Sequence, residues 1–219
     1  MKNLSIFFPI RLDSQRLPNK LLLPLKNKSF IEIMCEKLDK ITYCNVYVLS
    51  PSNKQVLNIL KKYKNINIII RDDDTCNADG TLRYIYKELQ EVKCTHLMFI
   101  NGCLYNLSLE TILKSCKKFV ESDKQYATSV KPFRNWLWKG NKAITDINYL
   151  ELNTKNINNL YQCAHCFHIF NKEEFFKTGK MLDEDLQLIE VPDIETLDVD
   201  TRDDYEYAKY YVQNSLTQK

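Results

Sequence analysis

The sequence predicts an α/β fold, a three-layer α/β/α arrangement around a mostly parallel, twisted sheet. Short apolar runs rich in β-branched and aromatic residues alternate with longer amphipathic stretches along the 219 residues. The apolar runs lack polar alternation, as expected for strands that are covered on both faces. Short connections between strands and helices imply right-handed crossovers, which place helices on both faces of the sheet.

Four buried strands are predicted in the first half of the chain. They are Leu4 to Ile10, Asn45 to Leu49, Ile66 to Ile70 and His96 to Ile100. Ligands of such sheets bind at the carboxyl ends of strands, near the point where the strand order reverses. The loops after Ile10, Ile70 and Ile100 are therefore the predicted binding region.

Helices are predicted between these strands. The first begins at Ser29, where Ser29-Phe-Ile-Glu32 forms a capping box before an apolar pattern that includes Met34 and Leu38. The remaining three have only approximate ends. They run from about Asn53 to Tyr63, from Thr81 to Glu91 and from Ser108 to Val120.

Residues 132–180 break the alternation of strands and helices. An aromatic group of Phe133, Trp136 and Trp138 precedes an Asn-rich stretch from Asn141 to Asn159. We interpret 132–180 as an excursion from the sheet that serves dimerisation or a ligand site, within one domain covering residues 1–219. The two tryptophans are expected to be dimer or core residues rather than platforms for a ligand.

The glycine content excludes two common nucleotide-binding loops. The four glycines are each more than twenty residues from the next, so the chain can build neither a GxGxxG turn nor a Walker-type loop. A content of 44% apolar and 27% charged residues is typical of a globular domain rather than a disordered chain.

Charge and cysteine content indicate where the protein works. A formal net charge of +3 is too balanced to favour a nucleic-acid or membrane-surface partner. The apolar run Leu4 to Ile10 is too short to span a bilayer and has no signal-peptide features. Eight cysteines without an export signal point to a reducing compartment, so we expect the protein in the cytoplasm.

A basic loop follows the first predicted strand. It contains Arg11, Arg16 and Lys20 together with the hydroxyl group of Ser14. Three cations at the carboxyl end of a strand can compensate several phosphate charges, because Arg supplies bidentate contacts and Lys a point charge. The loop predicts a triphosphate clamp built from side chains, and a solvated basic loop is the alternative.

A pair of carboxylates lies near the end of the chain. In an extended segment Asp198 and Asp200 would point to the same face, about 6 to 7 Å apart, which suits a Mg²⁺ ion that also takes phosphate oxygens. Thr201 is expected to cap the following helix, with Asp204 three residues later. Alternatively, these acidic residues only complement the dipole of the following helix. That interpretation does not explain a carboxylate pair on the strand itself.

Together the two segments resemble the acylneuraminate and 3-deoxy-manno-octulosonate cytidylyltransferase family, which makes CMP-activated acid sugars. Residues 11–20 are similar to the family's Arg-x-x-Ser-x-Arg-Leu-Pro-x-Lys signature, and residues 198–204 to its Asp-x-Asp-Thr-x-x-Asp signature. Arg71 and the helix opening at Thr81 resemble a nucleotide-contacting stretch, and residues 100–112 resemble the loop before a Ser/Pro-Glu-Thr-Ile helix start.

The resemblance implies a Rossmann-like nucleotidyltransferase, usually a homodimer, that joins CMP from CTP to an acid sugar in a Mg²⁺-dependent reaction and releases pyrophosphate. Arg11 and Lys20 would act as catalytic cations on the triphosphate, and Asp198 and Asp200 would hold the metal. The other implied nucleotide contacts are Ser14, Arg16, Arg71, Thr81 and Asn101. Such catalysis depends on positioning and electrostatics rather than on covalent chemistry.

The sequence departs from the family pattern in the middle of the chain. Cys103 stands where the octulosonate branch carries an Asp metal ligand, and Tyr105 stands where both branches usually carry Pro. The missing carboxylate favours the acylneuraminate-like branch and makes Cys103 a bystander. Gln162 and His165 are the candidate acceptor contacts in a segment that often reads Glu-Asn-Gly in the family. Transfer of CMP to a different acidic or phosphorylated acceptor, and a non-catalytic nucleotide-binding protein, are the alternatives.

The segment from Cys163 to His168 contains the residue types of a zinc site. On a regular strand Cys163 and His165 face one side while Cys166 and His168 face the other. One tetrahedral ion cannot collect all four, so we expect no structural zinc. The two alternatives are a buried strand that sends one polar side chain, His165 or His168, toward the acceptor, and a strand that only fills the core.

Overall fold

A seven-stranded central sheet organises the protein in a computed structural model, which describes residues 2–76, 80–147, 150, 153–155 and 157–214. The strands in chain order are β1 (Leu4–Pro9), β2 (Pro24–Leu25), β3 (Lys28–Ser29), β4 (Val46–Ser50), β5 (Ile66–Ile70), β6 (His96–Ile100), β7 (Tyr126–Pro132), β8 (Trp138–Lys139), β9 (Lys142–Ala143), β10 (Tyr161–Asn171) and β11 (Leu186–Glu190). β2 pairs with β3, and β8 with β9, outside the central sheet.

Helices connect most of these strands. The α-helices are α1 (Phe30–Leu38), α2 (Lys54–Leu60), α3 (Asp73–Cys76), α4 (Leu82–Ile85), α5 (Leu109–Val120), α6 (Lys172–Thr178) and α7 (Arg202–Asn214). Short 3-10 helices cover Lys20–Leu22, Lys87–Glu91 and Asp193–Thr196. None of the helices among the described residues combines the length and the apolar character that crossing a bilayer requires.

The strand order places a binding cleft beside β1. The order is β11-β7-β10-β6-β1-β4-β5, and β10 alone runs antiparallel to its neighbours among these seven described strands. The chain builds outward from β1 to β4 and β5, and then returns to the other side of β1 at β6. The order therefore reverses between β1 and β6, where ligands of such sheets bind. The predicted α/β fold with a mostly parallel sheet is confirmed.

Alternate residues of β1 supply two separate cores. Ile6 and Phe8 are fully buried in a cluster that includes residues of α1, α2, α5 and α7. Phe7 is fully buried in a second cluster with Leu89 and with Phe175 of α6. Because successive side chains of a strand point to opposite faces, the sheet is covered on both sides, which gives the three predicted layers.

The predicted elements of the first half agree with the structure, with one exception. The four strands are confirmed to within about one residue, and Ser29 and Glu32 form the predicted capping box at α1. The prediction of one helix from Thr81 to Glu91 is wrong, because α4 stops at Ile85 and a 3-10 helix follows. Tyr86 lies at the break and packs edge-on against Phe7, with ring centroids 5.2 Å apart. Burial of this side chain outweighs the propensity for a continuous helix.

Part of the segment 132–180 belongs to the sheet. Tyr161–Asn171 returns as β10 between β7 and β6, whereas the β8–β9 hairpin with Trp136 and Trp138 lies outside the sheet. Trp138 is about half exposed, with 50% of its surface accessible. Several positions of the Asn-rich stretch lie outside the described residues. Dimerisation through this region stays a prediction.

Candidate active site

A cavity of about 730 Å³ opens at the carboxyl ends of β1, β5 and β6. Its walls come from the three loops predicted to bind a ligand, those after Ile10, Ile70 and Ile100. Seven predicted site residues line it, namely Arg11, Ser14, Arg16, Lys20, Arg71, Asn101 and Asp200. The structure therefore brings residues that are up to 189 positions apart in the sequence, Arg11 and Asp200, to one cavity.

The basic loop is anchored so that its cations are held at the cavity. Leu17 and Leu21 are buried in the larger core cluster on either side of Lys20. Asn19 adopts a left-handed conformation with φ of 53°, which Asn tolerates better than most residues. This turn starts the 3-10 helix that carries Lys20, and the Asn19 amide donates to the Leu12 carbonyl at 3.2 Å. A loose, solvated basic loop is the alternative considered from the sequence. The two buried leucines argue against that alternative.

Asp200 joins the two ends of the chain through ion pairs. Its Oδ1 accepts from Lys20 Nζ at 2.7 Å and its Oδ2 contacts Arg16 at 2.8 Å. The Lys20 side chain is only 8% exposed, whereas that of Arg16 is 68% exposed. Lys20 is therefore a fixed cation, and Arg16 is free to move from Asp200 to an incoming anion.

The neighbours of Lys20 keep it charged. Burial alone would lower the pKa of Lys20, but the hydrogen-bonded carboxylate of Asp200 raises that pKa. Burial raises the pKa of the Cys103 thiol to about 11 despite the nearby Lys20, so the thiol is uncharged at neutral pH. Asp200 is consequently the group that compensates the Lys20 ammonium at neutral pH.

Two further arginines face the cavity. Arg71 follows β5 and is only 3% exposed. Its Nε is buried and has no hydrogen-bond partner in the part of the chain that the structure describes. Arg11 forms an ion pair with Asp13, two residues away, at the opening of the cavity. A buried guanidinium N–H group without a partner is costly, and an anionic ligand would satisfy it.

The loop after β6 brings the backbone close to the cavity. A Cβ atom at Gly102 would lie 2.2 Å from the Phe8 ring, so only glycine fits here without a shift. The side chain of Asn101 accepts from the Cys103 amide at 3.0 Å and donates to Asp198 Oδ2 at 3.4 Å. Asn101 therefore orients the loop and Asp198, in addition to lining the cavity.

The acidic pair does not lie on a strand. Residues 197–200 form irregular extended chain after the 3-10 helix Asp193–Thr196, and the Val199 amide donates to the Cys103 carbonyl at 3.3 Å. The prediction that the pair belongs to a last strand is wrong, because β11 ends at Glu190 and Pro192 starts the 3-10 turn. The predicted helix cap is confirmed, since Thr201 Oγ1 accepts from the Asp204 amide at 3.2 Å.

The two carboxylates occupy different environments. Asp200 lines the cavity just described, whereas Asp198 lines a neighbouring cavity of about 390 Å³ together with Lys131 and Tyr207. Burial and the charge of Asp200 raise the pKa of Asp198. Its Oδ1 is buried and lacks a hydrogen-bond partner among the described residues. An orphaned carboxylate oxygen beside a second carboxylate fits a divalent cation with a preference for oxygen.

Three predicted contacts lie away from the main cavity. Thr81 is exposed at the start of α4 between Gly80 and Leu82, which do line the cavity. Gln162 and His165 are exposed on β10 and line neither cavity. The structure thus brings together the predicted phosphate-binding residues but not the predicted acceptor contacts.

β10 contains a bulge that changes which side chains share a face. Cys163 pairs with Val130 and His168 with Thr128, so five steps along β10 match two steps along β7. Val130 and Thr128 lie on one face of β7, and their partners consequently share a face too. The prediction that His168 faces away from Cys163 is therefore wrong. One ligand atom from each of Cys163, His165 and His168 lies within 4.8 Å of the others.

Several residues of the cavity were missed by the sequence reasoning. Gln15, Tyr86 and Phe99 contribute to its wall. Gln15 stands inside the basic signature, so its position could have indicated a role. Tyr86 and Phe99 look like ordinary core residues in the sequence, and only the strand order shows that they border a cavity.

Comparisons with known proteins identify the family of this chain. The profile of the Cytidylyltransferase family matches residues 6–217. The 3-deoxy-manno-octulosonate cytidylyltransferases of two strains of Francisella tularensis subsp. tularensis, FSC 198 and SCHU S4, are 32% identical over 87 residues. That match covers 40% of this chain and 34% of each relative, so it spans about a third of their length.

Solved structures share the fold at low sequence identity. A 4-diphosphocytidyl-2C-methyl-D-erythritol synthase from Anaerococcus prevotii DSM 20548 superposes with a TM-score of 0.71 at 12% identity, covering 97% of this chain and 96% of that one. A CMP:2-keto-3-deoxy-manno-octonic acid synthetase complexed with CTP gives 0.66 at 13% identity, covering 97% and 99%. The basic and acidic signatures meet in one cavity, and the family profile spans nearly the whole sequence, so the chain belongs to the cytidylyltransferase family.

Proposed function

We propose that the protein transfers CMP from CTP to an acid sugar of the acylneuraminate or ulosonic type and releases pyrophosphate. The observation that carries this proposal is the convergence of Arg11, Arg16, Lys20 and Arg71 on one cavity at the strand ends. Four cations match the charge of a triphosphate, and family membership supports cytidine as the base. The rest of the proposal follows from how these cations are held.

The cations divide into fixed and movable groups. Lys20 and Arg71 are buried and keep their positions when a ligand arrives. The side chains of Arg11 and Arg16 are 41% and 68% exposed and pair with carboxylates, so they can exchange those partners for phosphate oxygens. Buried charges that need no reorganisation stabilise a transition state best, which assigns Lys20 to the phosphate that reacts.

The transfer exchanges one bond to phosphorus for another. An acceptor hydroxyl oxygen forms a bond to the α-phosphorus of CTP, the bond from that phosphorus to the oxygen bridging to the β-phosphorus breaks, and pyrophosphate leaves with the electron pair. The proton of the hydroxyl group passes to solvent. Negative charge builds on the phosphoryl oxygens in such reactions, and the Lys20 ammonium stabilises it.

Asp198 and Asp200 are the proposed ligands of Mg²⁺. When bound, the ion would neutralise phosphate charge. One Asp200 oxygen pairs with Lys20 and the other pairs with Arg16. Arg16 therefore has to leave Asp200 when phosphates arrive, which couples metal binding to nucleotide binding.

The acceptor is proposed to enter on the side of Asp198. The smaller cavity there is also lined by Lys131, which pairs with Asp193 at 3.0 Å. A cation at this place suits the carboxylate of an acid sugar better than a neutral sugar. Gln162 and His165 stay predicted acceptor contacts.

A two-step experiment tests the proposal. Calorimetry with CTP, with and without Mg²⁺, should show binding that the metal strengthens. Pyrophosphate release from CTP should then depend on an acid sugar when acid sugars, phosphorylated polyols and neutral sugars are compared. Turnover with a phosphorylated polyol alone would mean that the acceptor is wrong, and CTP binding without turnover would indicate a non-catalytic protein.

A further inference from the structure

A compact group of metal-ligating side chains lies on β10, outside the cavity that holds the phosphate-binding residues. Cys163, His165 and His168 each bring one ligand atom within 4.8 Å of the other two. Their ring and sulfur contacts show that they converge, since Cys163 Sγ lies 3.6 Å from His165 Nδ1 and the two imidazole centroids are 5.8 Å apart. One thiol and two imidazoles form a donor set that favours zinc over magnesium or calcium.

The separations match those of one coordinated ion. A tetrahedral ion with a Zn–S bond of about 2.3 Å and a Zn–N bond of about 2.0 Å holds its sulfur and nitrogen ligands roughly 3.5 Å apart. The Cys163 Sγ to His165 Nδ1 distance is 3.6 Å. This pair already has the spacing of two ligands of one ion, and the remaining separations, which are at most 4.8 Å, have to shorten by up to about 1 Å.

Supporting contacts fix His168 as a ligand requires. The Thr128 hydroxyl lies 2.8 Å from His168 Nδ1, and the His168 ring stacks on Phe99 with centroids 5.9 Å apart and planes at 11°. Metal-binding histidines are commonly held by a hydrogen bond at the other ring nitrogen, which here leaves Nε2 for the ion.

The backbone at His165 is unusual in the same place. His165 has a left-handed φ of 53° within the bulge of β10, a conformation that costs free energy for most residues other than glycine. On a regular strand Cys163 and His168 would face opposite ways, and the bulge is what gathers them. Strained residues of this kind concentrate at sites that bind ligands.

We propose that Cys163, His165 and His168 bind one Zn²⁺ ion. Three protein ligands leave the fourth tetrahedral position to water, as in zinc sites that exchange a ligand. His165 is exposed and the other two residues are partly buried, so an ion can reach the group from solvent. Cys166, the fourth candidate in the segment, is buried with its amide bonded to Ser129 and takes no part.

Zinc titration of the full-length, chelator-treated protein tests this site without reference to nucleotide transfer. We expect one Zn²⁺ per chain by elemental analysis after dialysis, release of protons on binding because the thiol ligates as thiolate, and no competition from Mg²⁺. Substitution with Co²⁺ should give the absorption of a tetrahedral site with a thiolate ligand.

Two ligand variants and two controls make the assignment specific. Loss of a hydrogen bond that supports a ligand typically lowers metal affinity roughly 10–100-fold. Cys163→Ser and His165→Asn each remove a ligand itself, so each should lower the Zn²⁺ affinity by more than that. Asn tolerates the left-handed backbone at position 165, so the bulge is kept. Cys166→Ala removes a thiol from the same strand, and Cys44→Ser removes a partly buried thiol elsewhere. Both should bind Zn²⁺ like the wild type.

Two results would overturn the proposal. One is a wild-type protein that retains no zinc after dialysis and binds Zn²⁺ no more tightly than the Cys163→Ser variant does. The other is wild-type affinity in folded Cys163→Ser and His165→Asn proteins, which would place the ion elsewhere. Circular dichroism of each variant distinguishes loss of ligands from loss of fold.

Discussion

Lys20 is a buried cation of the candidate active site that is held by an ion pair. Its side chain is 8% exposed and bonds to Asp200 at 2.7 Å. Lys20→Ala should therefore reduce turnover by on the order of a hundredfold or more, roughly 3 kcal/mol of transition-state stabilisation. Steady-state pyrophosphate release at saturating CTP measures this loss. Lys28→Ala, which removes an exposed lysine paired with Glu36, is the matched control. Equal rates for Lys20→Ala and the wild type would remove Lys20 from the reaction.

Asp200 and Cys103 both interact with the Lys20 side chain and should respond differently to substitution. Asp200→Asn keeps the side-chain shape but removes a negative charge, so we expect most activity to be lost and more Mg²⁺ to be required. Cys103→Ser should stay within a few fold of the wild type, because no ligand bond is broken and Mg²⁺ rarely takes a thiolate. A magnesium titration of the initial rate for both variants is the measurement. A tolerant Asp200 with an intolerant Cys103 would place the metal elsewhere.

At the scale of elements, the loop after β6 depends on close approach to β1. A methyl group at Gly102 would lie 2.2 Å from the fully buried Phe8 ring. Gly102→Ala should destabilise the protein by about 1–3 kcal/mol, which is usual for overpacking a core. Urea unfolding of Gly102→Ala, Phe8→Leu and the double variant measures the effect. The double variant should lose less unfolding free energy than the two single variants lose together, because leucine at position 8 leaves room for the added methyl group. Losses that add strictly would contradict the contact.

Strands and capped helices were predictable because their signals are local. The apolar runs of β1, β4, β5 and β6 and the box at Ser29 need no tertiary information. The break at Tyr86 was not predictable, since it comes from packing on Phe7. The bulge of β10 was equally hidden, because it is defined only by the register against β7. For that reason the face of β10 on which the His168 side chain lies was predicted wrongly.

At the scale of the whole molecule, the phosphate-binding side of the candidate site could be predicted from sequence, and the acceptor side could not. Arg11, Lys20 and Asp200 were named from sequence and share a cavity in the structure. Asp198 was expected on the same face, yet it borders the neighbouring cavity, because the chain at 197–200 is irregular. Side-chain direction follows from a strand's alternation and is lost where the strand ends.

We predict that two copies of the chain form a dimer. The β8–β9 hairpin lies outside the central sheet and carries the half-exposed Trp138. Light scattering should give about twice the 25.9 kDa of one chain. Trp138→Ser should shift the mass toward that of a single chain if the hairpin forms the contact. A wild-type mass of one chain at micromolar concentration would contradict the prediction.

Transfer of the α-phosphate of CTP is tested most directly by position-specific labelling. CTP labelled at the α-phosphate should pass its label to the acid sugar, whereas label at the γ-phosphate should appear in pyrophosphate. Both results should require the acceptor and should be lost in Lys20→Ala. Label from the α-phosphate that ends only in free CMP, or label from the γ-phosphate found on the acceptor, would contradict cytidylyl transfer by this protein.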